Sequence, residues 1–191
     1  MNKYIKYFLT IGWILFSRSY DAYCSVMLTP DLKKEANPLV TIGGISSWTP
    51  LLIILSILTI YVGYAFHKST FKPINLLPIE KGYSFGQFVS FVYIGQKEHW
   101  TAVLYKFPKD FRRLNQYLGE LLTRFLVYAG FVSTIMWLLI HHSEYYQKNH
   151  SAFMVYFILI SGCIIIAIKW NYTLFSTYKQ SFNINKNLHE K

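Results

Sequence analysis

The chain has 191 residues, 53% of them hydrophobic and 15% charged, with 19 Lys and Arg against 9 Asp and Glu and a formal net charge of +10. Soluble domains run at about 45–50% apolar and about 25% charged residues, so this composition excludes an ordinary soluble domain or a disordered chain and points to lipid as a solvent. The positive balance does not signal nucleic acid: no zinc-finger spacing and no free-standing basic recognition helix is present, and the aromatic residues sit in hydrophobic stretches. Anionic lipid accounts for the charge instead.

The first apolar segment, residues 4–27, is long enough for a membrane span, which takes about 20 predominantly apolar residues. It carries Lys6 near its start and Arg18 and Asp21 inside it. A cleaved signal peptide would use Lys3 and Lys6 ahead of the apolar core from Phe8 to Phe16. Its cleavage chemistry is missing, because Cys24 follows Asp21, Ala22 and the bulky Tyr23, and no small-x-small site follows Phe16. The segment is therefore expected to stay as a helix. Arg18 and Asp21 are three apart, so they share a helical face and can pair; Ser17, Cys24 and Ser25 fall on that face too. Ionisable groups in hydrocarbon face the bundle, pair, or mark a path, so the stripe is expected to point inward. At a rise of about 1.5 Å per residue, Asp21 lies roughly 9 Å and Arg18 roughly 14 Å inside the outer end of the helix.

Next comes a turn rich in breakers, Thr29-Pro30-Asp31-Leu32-Lys33-Lys34-Glu35-Ala36-Asn37-Pro38, which places Glu35, Asn37 and Pro38 near the outer surface. Three further spans are expected at residues 48–66, 121–140 and 152–170. Ser56, Thr59 and Gly63 in the first of these, Gly130, Ser133, Thr134, Trp137 and His141 in the second, and Ser161 and Gly162 in the third form stripes of small and hydroxyl residues. Such stripes let helices approach closely, and they predict the seam of a four-helix bundle. Cys24 and Cys163 lie in apolar segments and read as small buried hydrophobes, not as a bridge or redox pair.

The connection 67–120 is read as cytoplasmic and amphipathic. After an irregular stretch with Pro73, Pro78 and Gly82, the residues Phe85, Phe88, Val89 and Val92 recur at helical spacing. A second helix is expected to start at Pro108, with Phe111, Leu114, Leu118 and Leu121 on its apolar face. Lys109, Arg112 and Arg113 at its start oppose the helix dipole, so lipid phosphate is their expected partner. Both pieces are read as interfacial helices on the inner leaflet, with packing against a partner protein as the alternative. Residues 171–191 are a cytoplasmic tail. Fifteen basic residues fall at the N-terminal end (Lys3 and Lys6), in residues 67–124 and in residues 169–191, against only Lys33, Lys34 and Lys148 in the other loops. By the positive-inside rule both termini are cytoplasmic.

Asp21, Glu35, Asn37, His141 and His142 converge on the outer face from separate stretches. Carboxylate and imidazole are ligands for zinc and similar metals, so Asp21, Glu35, His141 and His142 are candidate ligands of a divalent metal; the alternative is Asp21 neutralised by Arg18, Glu35 bonded within its turn, and a wet histidine pair. No metalloprotease motif, nucleophile elbow, phosphate loop, Cys-x-x-Cys or dinucleotide fingerprint occurs. No other cofactor is expected.

Asp21 followed by Glu35-Ala36-Asn37-Pro38 and then Trp48-Thr49-Pro50 resembles small bacterial inner-membrane proteins of uncharacterised function, in which an Asp late in the first helix precedes a Glu-x-Asn-Pro turn and the second span. The likeness covers about residues 15 to 66. It implies a four-span fold in which Asp21, Glu35, Asn37 and Pro38 form one structural unit, and it implies no activity.

The expectation is thus an all-α, polytopic inner-membrane protein forming a single membrane domain over residues 1–191, with four spans and two cytoplasmic amphipathic helices. Its expected role is non-enzymatic, as an accessory or scaffolding subunit that binds anionic inner-leaflet lipid, a membrane-protein partner or a second copy of itself. A small transporter or channel using Arg18 and Asp21, and a membrane metalloenzyme at the outer acidic and histidine residues, are the alternatives.

Overall fold

The computed structural model describes residues 2–33, 35 and 37–189. Lys34 and Lys191, which enter the charge asymmetry, and Ala36 of the Glu-x-Asn-Pro turn lie outside the described residues. Among the described residues the chain is all-helical: α1 Lys3–Leu28, α2 Pro38–Thr41, α3 Trp48–Phe71, α4 Phe85–Ile94, α5 Phe111–His142, α6 Glu144–Asn149 and α7 Ala152–His189, with a 3₁₀ turn at Trp100–Leu104.

Three helices are long and apolar enough to cross a membrane, namely α3, α5 and α7 over Ala152–Ser181. Their apolar side chains point outward: Ile53, Ile57, Phe157, Ile164 and Ile168 are all exposed. In the most apolar 18-residue stretch of α7 no residue is buried. Such a surface suits a membrane. α1 has 26 residues, but its internal Arg18 and Asp21 leave it without an 18-residue stretch as apolar as those of the other three.

Local chemistry sets the helix ends. Asn2 caps α1 by accepting from the Tyr4 amide at 3.0 Å. Asn37 caps α2, with Pro38 at the first helical position where no amide is missed. Ser84 and Gln87 form a reciprocal capping box on α4, and Gly95 closes that helix in the left-handed conformation at φ 89°.

The connection differs from the expected pair of interfacial helices in two ways. No helix starts at Pro108; α5 starts at Phe111 and continues without a break into the predicted span, because no proline interrupts residues 111–142. α7 likewise passes residue 170 and takes up most of the predicted tail. The apolar face of α4 is satisfied by protein: Phe88 and Val92 are fully buried, and the Phe88 ring lies 5.4 Å from those of both Phe175 and Tyr178.

The chain forms two compact units, residues 1–64 with 123–163, and residues 65–122 with 164–191. The second is organised around α4 and tyrosine hydrogen bonds. Tyr178 donates to the Glu80 carbonyl at 2.9 Å and accepts from the Tyr83 amide at 3.3 Å. Asn171, buried, donates to the Tyr117 hydroxyl at 2.9 Å and to the Ala167 carbonyl at 2.8 Å.

The same unit holds the three cations expected to meet lipid phosphate, Lys109, Arg112 and Arg113. Asp110 accepts from the Arg112 amide at 2.8 Å, supplying the anion that the start of α5 requires. Arg113 turns inward, donating to the Leu76 carbonyl at 2.7 Å and lying 4.5 Å from the Phe91 ring centroid. The Gln96 amide, oriented to satisfy both neighbours, bridges Glu98 and the Lys109 ammonium. Lys109 and Arg112 are exposed; Arg113 is committed to its own unit.

Candidate functional site

The site lies in the first unit, and its polar groups begin on α1. Arg18 and Asp21, one turn apart, form an ion pair with Nη1 and Oδ2 at 3.4 Å. The same guanidinium donates through Nη2 to Ser133 on α5 at 2.8 Å, while its Nε is buried without a partner. Trp137, one turn beyond Ser133, donates its indole N–H to Asp21 Oδ1 at 2.7 Å. The polar stripe of α1 is therefore met by donors and acceptors of α5.

Close approach between the helices makes these bonds reachable. Ser17 is fully buried, and a Cβ on Gly130 would overlap its side chain. The Trp13 indole stacks on Phe131 with centroids 4.3 Å apart and donates to the Val127 carbonyl at 3.3 Å. Tyr128 reaches α7, donating to the Ile158 carbonyl at 2.9 Å, and its ring passes over Gly162, where a Cβ would overlap it.

The turn after α1 is tied together by Glu35. Its Oε1 accepts from the Asn37 amide at 3.1 Å, and its Oε2 lies 3.3 Å from the Thr29 hydroxyl, whose proton is shared with the Ser25 carbonyl at 2.9 Å. Asn37 Oδ1 accepts from the Leu39 amide at 3.0 Å and starts α2. Trp48, opening α3, donates to the Thr29 carbonyl at 3.0 Å. Asp31 pairs with Lys33 at 3.2 Å, and the Lys33 amide and ammonium hold its carboxyl below the ordinary range.

These elements border a partly open cavity of about 690 Å³. Arg18, Asp21, Glu35, Asn37 and Pro38 line it, joined by Trp48, Trp137, His150 and Tyr156. It reaches along α1 from Thr29 to Leu15 and along α3 from Trp48 to Val62, a length of about 20 Å at the helical rise. Beyond the polar end its walls are mostly aliphatic, with Leu52, Leu55, Ile60, Leu126 and Leu159 among them, and Ser56 and Thr59 add hydroxyls.

The four candidate metal ligands divide. Asp21 and Glu35 line the cavity, whereas His141 turns its Nδ1 to the Trp137 carbonyl at 2.7 Å and His142 is exposed. Among the described residues no three His, Cys, Asp or Glu side chains gather as a ligand set. The histidine at the cavity is His150, with Nδ1 facing the carbonyls of Tyr146 and Gln147. Sequence reasoning passed over it and Tyr156. The available signal was position: both flank the start of the last span, beside the same outer ends as Asp21 and Glu35. Cys24 is buried and Cys163 partly so, and both thiols are free.

No family model matches the chain, and no curated protein or solved structure matches it either.

Proposed function

We propose that the chain is a four-span bacterial inner-membrane protein without catalytic chemistry of its own, an accessory or scaffolding subunit that binds anionic lipid and a membrane partner. α1 supplies the fourth span. In support, Phe8, Leu9, Leu15 and Phe16 are exposed on it, while its two internal charges are matched by Arg18–Asp21 pairing and by Ser133 and Trp137. The distribution of basic residues supports cytoplasmic termini, and the Asp21 to Pro38 pattern would make small four-span bacterial membrane proteins its kin.

The observation that carries the binding role is the segment from Trp100 to Phe111. Trp100, Leu104, Tyr105, Phe107 and Phe111 are exposed there, Phe107 to 88%, and they alternate with Lys106, Lys109 and Arg112. Apolar and aromatic side chains interleaved with cations suit the headgroup level of an anionic leaflet. Glu98 pairs with Lys106 at 2.6 Å and holds its ammonium pKa above the ordinary value, so that cation stays charged throughout the physiological range.

Affinity purification in a mild detergent, with analysis of bound lipid and protein, tests the reading. Anionic lipid and a larger partner should co-purify, and the triple change L104A/F107A/R112A should reduce the anionic lipid retained. Release of the chain by alkaline washing, or tags that put its two ends on opposite sides, would overturn it. The cavity lined by Arg18 and Asp21 favours a second reading, a small transporter, which predicts solute flux in proteoliposomes that is lost in Asp21→Asn.

A further inference from the structure

We infer that the cavity of the first unit is a binding site for an amphiphilic amine, its cationic head facing Asp21 and Glu35 and its aliphatic chain lying along the leucine-lined length below them. The inference rests on the reading of this unit as membrane-embedded.

Charge comes first. Among the described residues the Asp and Glu side chains lining the cavity are Asp21 and Glu35, and Arg18 is the Lys or Arg side chain there. Arg18 is engaged with Asp21. Among the described residues Glu35 accepts from the Asn37 amide and the Thr29 hydroxyl, both neutral. A cationic ligand would offset the excess of carboxylate over guanidinium in this lining. Tyr156 lines the same cavity as both carboxylates.

The walls specify the kind of cation. Trp48, Trp137 and Tyr156 line the same end, and indole and phenol faces attract an ammonium through their quadrupoles, most strongly when it is desolvated. A proton or a metal ion would satisfy the charge and leave the rest of the cavity unused. From Leu55 through Ile60 and Leu126 the lining is mostly aliphatic, interrupted by the hydroxyls of Ser56 and Thr59, and a volume of about 690 Å³ spread over about 20 Å has room for an extended hydrocarbon chain. The ligand class is therefore a single-chain amine, primary or quaternary.

The full chain, reconstituted in phosphatidylcholine nanodiscs, is titrated with dodecyltrimethylammonium, dodecyl sulfate and dodecyl maltoside, which share a chain and differ in the head. Binding is read by tryptophan fluorescence and counted by native mass spectrometry. The cationic probe should bind at least about tenfold more tightly than the other two. Tetramethylammonium, a head without a chain, should bind at least about tenfold more weakly than the full probe. Glu35→Gln should bring the cationic probe down to the affinity of the maltoside. Leu55→Trp, which fills the aliphatic length and leaves both carboxylates in place, should abolish binding of every chain-bearing probe, and it carries the test if Glu35→Gln does not fold. Equal affinity for the three heads, or a folded Leu55→Trp protein that binds as before, overturns the inference. Alkaline extraction of the same preparation separates the two failures: a released chain defeats the membrane reading, whereas an embedded chain without head preference defeats only the amine site.

Discussion

The indole nitrogen of Trp137 donates to Oδ1 of Asp21 at 2.7 Å, joining residues 116 positions apart. The other oxygen of that carboxylate faces Arg18, and Arg18 in turn donates to Ser133. Four side chains on two helices thus satisfy a cation and an anion that would be costly to leave alone in a membrane protein. The pairing also orients Asp21 at the polar end of the cavity, so the same network serves stability and any binding there.

Trp137→Phe keeps the ring and removes the donor. The expected loss is roughly 1–3 kcal/mol, the usual range when a buried polar partner is left unsatisfied. Asp21→Asn should destabilise as well, and the double variant should lose less than the sum of the two, with a coupling of about 1 kcal/mol or more. Thermal unfolding in detergent measures all three; strict additivity would refute the network.

Close packing predicts a second result. Gly162→Ala places a methyl group against the Tyr128 ring, and overpacking of this kind destabilises by about 1–3 kcal/mol. Adding Tyr128→Leu should recover part of that loss, since the smaller side chain vacates the contact, although its own bond to the Ile158 carbonyl goes with it. The midpoint of detergent-solubilised unfolding checks this, and the absence of any penalty in Gly162→Ala would contradict the contact.

In the other unit, Asn171 donates to both Tyr117 and the Ala167 carbonyl. Asn171→Ala should destabilise by roughly 1–3 kcal/mol, and Tyr117→Phe by less, because Asn171 keeps its bond to Ala167. Proteolysis from the C-terminal end of α7 offers an independent readout: cleavage should quicken in Asn171→Ala before the rest of the chain becomes susceptible.

Tyr83 supplies a pH dependence. Burial, reinforced by Glu80 and Tyr178, pushes its phenol above the ordinary tyrosine value, and Arg113, acting the other way, is outweighed. A folded pKa above the unfolded one means that Tyr83 stabilises the protein fully below about pH 10, and that this contribution disappears as pH rises through the folded value. Ultraviolet difference titration of the wild type against Tyr83→Phe should show one phenol ionising later than the exposed tyrosines. A missing phenol that titrates together with the exposed class would contradict its burial.

Some of this was legible in the residues themselves. Length, hydropathy and breakers are local quantities, so the long apolar helices, the helical pattern Phe85 to Val92 and the turn closed by Asn37 and Pro38 could be read in one dimension. The i, i+3 spacing of Arg18 and Asp21 also sufficed to predict that they could pair, since helix geometry alone makes such residues neighbours. Boundaries were harder. Pro108 suggested a helix start, but Asp110 is the residue whose side chain accepts from the first turn, and α5 runs on because nothing after Phe111 stops it.

Which side chains meet across helices could be decided only by the tertiary structure. The packing of the helices and of the turn at His150 determines that His150 and Tyr156 line the cavity while His141 turns to the Trp137 carbonyl, and that Arg113 meets Leu76 and Phe91. Composition and periodicity set what each helix must bury and how much hydrocarbon surface it offers. The choice of partner for each polar group depends on interhelical distances of a few ångströms, and residues more than a hundred positions apart, such as Asp21 and Trp137, acquire those distances only when the helices pack.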